Sequence, residues 1–264
     1  MKIGCLVLAA LLLQEPKREP LVIRVAPGGW GDAGVEDIAT VLRSAGESLV
    51  ATIPDLKLPP IEVSKSTSTP IVLFERGPAG EIRVRLNVED RRWAQFAFQF
   101  GHEMGHIVCG YAEYPNPNKW FEETVCEAAS LYVLGRMAES WKTRPPYPNW
   151  KDYAAALRKY RDERTAEASL PAGTALPAWF REREASLRKD GTQRELNLKM
   201  AAALLPLFEE APERWAAMAT LNATHGDASR SFAGYLSDWS RSSPEKHRPF
   251  IAKIAERFGV AIDR

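Results

Sequence analysis

The sequence predicts an α+β fold: a small mixed β-sheet with a hairpin, packed on two amphipathic helices and followed by an all-helical C-terminal region. Three observations carry that expectation. Ile82, Val84, Leu86 and Val88 alternate with Arg83, Arg85 and Asn87, the period-two signature of a half-buried strand. Between residues 93 and 137 the apolar positions recur instead at three- and four-residue steps, as helices require. Beyond residue 150 the helical period continues to the end of the chain.

Taken in order, Met1-Lys2 is followed by an apolar run, Ile3 to Leu13, and then by the polar stretch Gln14 to Pro20. A bilayer-spanning helix takes about 20 residues, so this run is too short to span and suits the core of a secretory signal over residues 1–14. The expectation is an exported protein, periplasmic or extracellular, with no stable membrane insertion once the signal is removed. The alternative is a buried N-terminal segment in a cytoplasmic protein. Leu21 to Val25 reads as a strand and Pro27-Gly28-Gly29-Trp30-Gly31 as a loop, its glycines forming no phosphate-binding fingerprint. Val35, Ile38, Ala39, Leu42 and Leu49 keep helical spacing. Ile61 to Val63 and Ile71 to Phe74 are short apolar runs, and Gly77-Pro78-Ala79-Gly80 turns the second into a hairpin with the strand at 81–88.

A helix is expected from about Arg91 to Cys109, with Asp90 as its N-cap and a stripe of Trp93, Phe96, Ala97, Phe100, Met104 and Ile107. After Tyr114-Pro115-Asn116-Pro117-Asn118 a second runs from Lys119 to about Ser140, buried through Val125, Ala128, Ala129, Tyr132, Val133 and Met137. Thr143-Arg144-Pro145-Pro146-Tyr147-Pro148 breaks the pattern and separates a core region, 20–141, from a helical region, 150–264. Stripes at Leu196–Leu207, Phe232–Trp239 and Phe250–Phe258 follow, the last closed by Gly259 as a C-cap.

Composition narrows the function classes. With 45 % hydrophobic and 26 % charged residues, 264 residues can bury one substantial core or two modest ones. The balance of 35 basic against 34 acidic side chains argues against a nucleic-acid partner or an anionic membrane surface. The basic cluster from Arg181 to Arg188 alternates with glutamates, as a solvated helix face does.

The chemistry-bearing segment is His102-Glu103-Met104-Gly105-His106. On a helix, residues i and i+4 share a face one turn apart, so both imidazoles can reach one metal ion with Glu103 beside it. The bland alternative is two histidines on a solvated helix with a glutamate between them. A catalytic zinc takes three protein ligands and leaves a fourth position for water, so a third ligand is needed. Glu123 and Glu127 lie one turn apart near the buried stripe of the second helix, where an unpaired charge is costly and a zinc ion would be a sufficient partner.

These residues resemble the gluzincins, the thermolysin-like and aminopeptidase-like zinc metallopeptidases, in which HExxH is followed by a glutamate on the next helix. Trp120-Phe121-Glu122-Glu123 is similar to the tryptophan-x-asparagine-glutamate stretch of the aminopeptidases, and Glu123 with Glu127 to the thermolysin pairing of a ligand glutamate with an acid one turn later. The likeness covers residues 70 to 140. It departs at Glu122, where the family has asparagine, and at Thr124, where a glycine often follows. It implies Zn2+ on His102, His106 and Glu123, with Glu127 either fixing a ligand histidine from behind or competing with Glu123 for the metal. It also implies that the strand at 81–88 is the edge that holds an extended peptide; a plain structural hairpin is the alternative. Cys109 and Cys126 would then meet behind the metal, as a disulfide in an exported protein or as two buried thiols.

The chemistry so implied is peptide-bond hydrolysis, with Glu103 as general base and a peptide or protein as substrate. Tyr111, His225 and Tyr235 are candidates for the donor that steadies the oxyanion. The same residues also suit a non-catalytic zinc-binding or interaction module whose helical half covers the cleft, or a cytoplasmic regulatory protease if the first 13 residues stay on the mature chain.

Overall fold

The computed structural model describes residues 19–224 and 229–263, so the proposed signal and His225 lie outside it. Strands β1 (Ile23–Val25), β2 (Ile61–Lys65), β3 (Ile71–Val72) and β4 (Ile82–Leu86) form one mixed sheet in the order β1-β2-β4-β3. β1, β2 and β4 are mutually parallel and β3 runs antiparallel to β4. Parallel neighbours need a crossover, which helix α1 (Val35–Val50) supplies between β1 and β2. In β4 the alternation works as read: Ile82, Val84 and Leu86 are buried, while Arg83 and Arg85 point to the other face.

Two expectations are corrected. The strand at 81–88 is not an edge, because β4 is bonded to β2 on one side and β3 on the other; the edges are β1 and, beside the motif, β3. Asp90 is not the N-cap of α2 (Trp93–Val108), a place taken by Arg92. Asp90 instead has φ 58°, a left-handed turn conformation that a short polar side chain tolerates, and its carboxylate accepts from the Asp32 N–H at 3.3 Å.

Helix α3 (Lys119–Trp141) is the axis of the molecule, packing against α1 and α2 on one side and against α4 (Tyr153–Glu167) and α6 (Arg194–Glu210) on the other. Helices α5 (Leu176–Lys189), α7 (Phe232–Ser242) and α8 (Arg248–Phe258) surround its N-terminal turn, where buried Trp120 meets Phe180, Phe232 and Phe258 with ring centroids 4.6–5.7 Å apart. Gly259 closes α8 with φ 67°, the left-handed C-cap its position implies. Buried apolar residues from Leu21 to Phe258 belong to one continuous cluster. Among the described residues no helix is long and apolar enough to cross a membrane.

Helices α2 and α3 lie antiparallel, with Gly101 facing Ser130 and Gly105 facing Cys126. A Cβ on Gly105 would stand 2.8 Å from the Cys126 Cα, so the missing side chain is what lets the backbones approach. Gly105→Ala should gain about 1 kcal/mol of helix propensity and lose about 1–3 kcal/mol to overpacking. The overpacking should win, because a backbone atom cannot swing aside. Urea unfolding of the metal-free variant should show a lower midpoint than the parent; an unchanged or raised midpoint would mean the helices part without cost.

Candidate metal centre

The close approach of α2 and α3 brings the HExxH face against the first turns of α3. His102 Nε2 lies 3.2 Å from Glu123 Oε2, and His106 Nε2 lies 3.7 Å from the same oxygen. The other ring nitrogens meet two further carboxylates: His102 Nδ1 is 3.5 Å from Glu127 Oε1 and His106 Nδ1 is 2.7 Å from Glu122 Oε1. Glu123 therefore stands where both Nε2 atoms converge, and Glu127 stands behind His102. These are not residues on a solvated helix face, since Glu103 is only 2 % exposed and His102 9 %.

Burial opposes charge on both histidines, but their carboxylate partners outweigh it. Burial lowers the His102 pKa, while the hydrogen bond to Glu123 and the fields of Glu127 and Glu103 raise it, to about 9. His106 is also raised, burial again being overcome by Glu122. Glu123 shows the converse: burial pushes it up, and the two histidines with Lys119 bring it down to about 2. Glu103 stays above the ordinary glutamate range because burial exceeds the help of the histidines and of the Val72 N–H. Four carboxylates thus lie around two imidazoles, an excess of acidic groups that a cation would offset.

His102, His106 and Cys126 also form a buried group whose donor atoms lie within 4.8 Å of one another, and such a group could hold a metal ion. Cys109 and Cys126 are free, buried thiols that hydrogen-bond to each other, not a disulfide. Burial holds the Cys126 thiol well above its ordinary value, and the thiolate is the ligating form.

The cleft in front of the Nε2 atoms has a volume of about 550 Å³. Glu103, His102, His106, Glu122 and Glu123 line it, together with the apolar or aromatic Ile71, Val72, Phe74 and Tyr111 and the basic Lys119 and Arg194. Of the three candidates for an oxyanion donor, Tyr111 lines this cleft, its hydroxyl donating to the Leu73 carbonyl at 3.1 Å. Tyr235 is buried and turned toward Asn222, and His225 is not described.

Two residues escape the sequence reading. Glu122 is noticeable there only as a departure from the resembling pattern, yet it carries the shortest contact to a motif histidine. Asn222 gives no sequence signal at all, although its Nδ2 donates to Glu122 Oε2 at 2.9 Å. No protein-family model, no curated protein and no solved structure matches this chain.

Proposed function

We propose that this protein is a zinc-dependent peptide-bond hydrolase, with His102, His106 and Glu123 on zinc and Glu103 as general base. The observation that carries it is the convergence of both Nε2 atoms on one Glu123 oxygen, with Glu103 buried alongside. Two imidazoles and a carboxylate facing an open cleft are a donor set suited to catalytic zinc, which leaves one position for water. Zinc in that set supplies Lewis acidity and lowers the pKa of a bound water to about 7.

The residues of the chain do the remaining work. Glu103 takes the proton of the attacking water and returns it to the leaving amine. Glu122 and Glu127 hold the Nδ1 sides of the histidines and so aim both Nε2 lone pairs at the cleft. Tyr111 lines the same cleft, and its hydroxyl would serve a developing oxyanion by leaving the Leu73 carbonyl it now donates to.

A peptide suits the walls. β3 is the sheet edge beside the cleft, and the Val72 N–H reaches Glu103. A substrate strand lying along that edge would therefore pass the catalytic carboxylate. Ile71 and Phe74, 44 % and 50 % exposed, are two of the three large apolar side chains left open among the described residues, and both line this cleft. They offer a surface for an apolar substrate side chain.

Purified protein loaded with zinc should cleave members of a proteome-derived peptide library, with apolar residues enriched near the cut. Chelation should abolish the cleavage and added zinc should restore it. A zinc-loaded protein that cuts nothing would leave the non-catalytic metal-binding module as the better account.

A further inference from the structure

We infer that Asn222, supplied by the C-terminal helical region, is a positioning residue for the metal centre: it holds Glu122 and, through it, aims His106. This deepens the metal-centre reading and rests on it. The side chains form a relay in which the direction of each hydrogen bond dictates the next. The Tyr114 hydroxyl donates to Asn222 Oδ1 at 2.8 Å, with Tyr235 making a longer approach of 3.5 Å to the same oxygen. The amide carbonyl being so taken, Nδ2 turns to Glu122 Oε2 at 2.9 Å. A carboxylate only accepts, so its other oxygen, Oε1, requires a proton on His106 Nδ1, 2.7 Å away. A neutral imidazole protonated there presents a lone pair at Nε2, the atom that faces the cleft.

Asn222 is buried, 6 % exposed, and the chain around it is firmly tied. It follows the 3-10 segment Pro212–Thr220, whose Ala217 carbonyl accepts from Trp239 Nε1 at 3.1 Å, and Thr220 meets Ser243 at 2.6 Å between hydroxyls. From the other side, Asn118, the N-cap of α3, donates to the Arg230 carbonyl at 3.1 Å. The helical region therefore holds the metal-bearing turn at two places. Its hydrogen bond to Glu122 comes from one amide, a hundred residues along the chain from the carboxylate it grips.

The test uses the full chain and competition against a chromophoric chelator, which reads zinc affinity without reference to activity. Asn222→Asp keeps the shape and replaces the donor with an acceptor opposite Glu122. It should weaken zinc binding by about 10–100-fold, the range for losing an outer partner of a metal ligand. Adding Glu122→Gln should recover most of that loss, because the new amide can donate to the new carboxylate while its oxygen still accepts from His106. Tyr114→Phe, a change of one oxygen on a half-buried residue, should weaken zinc in the same direction by a smaller factor and so guards against misfolding of the Asn222 variant. A merely structural Asn222 would lower the melting temperature of the metal-free protein and leave zinc affinity alone. Wild type binding zinc tightly, with Asn222→Asp and Tyr114→Phe within about twofold of it, would overturn the positioning role only. Wild type failing to bind zinc at all would overturn the metal-centre reading with it.

Discussion

Glu103→Gln is expected to lower peptide cleavage by about 10²–10⁴-fold while the protein keeps its zinc, because proton transfer by a positioned side chain contributes that much. The substitution keeps size and buried hydrogen bonding and removes only the ability to take a proton. Burial holds the Glu103 carboxyl above the ordinary glutamate range, which brings it toward the neutral pH where a general base works best. The Val72 N–H would still find an acceptor in the glutamine, so the edge strand should stay in place. Steady-state kinetics and zinc content on the same preparation check both halves. Activity retained within a few-fold, with zinc bound, would remove Glu103 from the chemistry.

Glu123→Ala should cost more zinc affinity than the loss of any residue behind the histidines. Outer partners are worth about 10–100-fold in affinity, and a residue in direct contact with the metal should exceed that. The two histidines and Lys119 hold the Glu123 carboxyl down at about 2, so no proton competes for it at neutral pH. Lys119, 3.9 Å from Glu123 Oε1 and half exposed, is too well solvated to substitute for either partner. Cys126→Ser should leave affinity near the parent if Glu123 is the third ligand, since the Cys126 thiol is buried against Cys109 and does not line the cleft. Equilibrium competition titrations compare the two variants directly. A collapse of affinity in Cys126→Ser, with Glu123→Ala unaffected, would move the metal to the buried side of the histidines.

Much of this was legible in the sequence, because helical period and motif spacing are local. The bounds of α2 and α3 and the alternation in β4 follow from residues that share a face within a few turns, whereas the nearness of Glu123 to the motif, on a different helix, was implied by the resemblance. What was not legible depends on partners far along the chain. That β4 is an inner strand and β3 an edge depends on β4 finding β2, a pairing no local pattern encodes. Asp90 carries the composition of an N-cap, but its contact with Asp32 decides its conformation instead. Glu122 and Glu123 look alike in sequence, and only the helix crossing at Gly105 turns one behind His106 and the other toward both Nε2 atoms. Asn222 belongs to the same class, a buried amide whose role exists only after two distant regions have packed.

In the proposed centre the metal would sit on the cleft side of the histidines, held by nitrogen and oxygen alone. Zinc K-edge absorption spectroscopy of the protein loaded with one equivalent of zinc distinguishes that placement from a buried one. The expected spectrum has a shell of nitrogen and oxygen near 2.0–2.1 Å with imidazole scattering and no sulfur. A sulfur at about 2.3 Å would place Cys126 on the metal and contradict it.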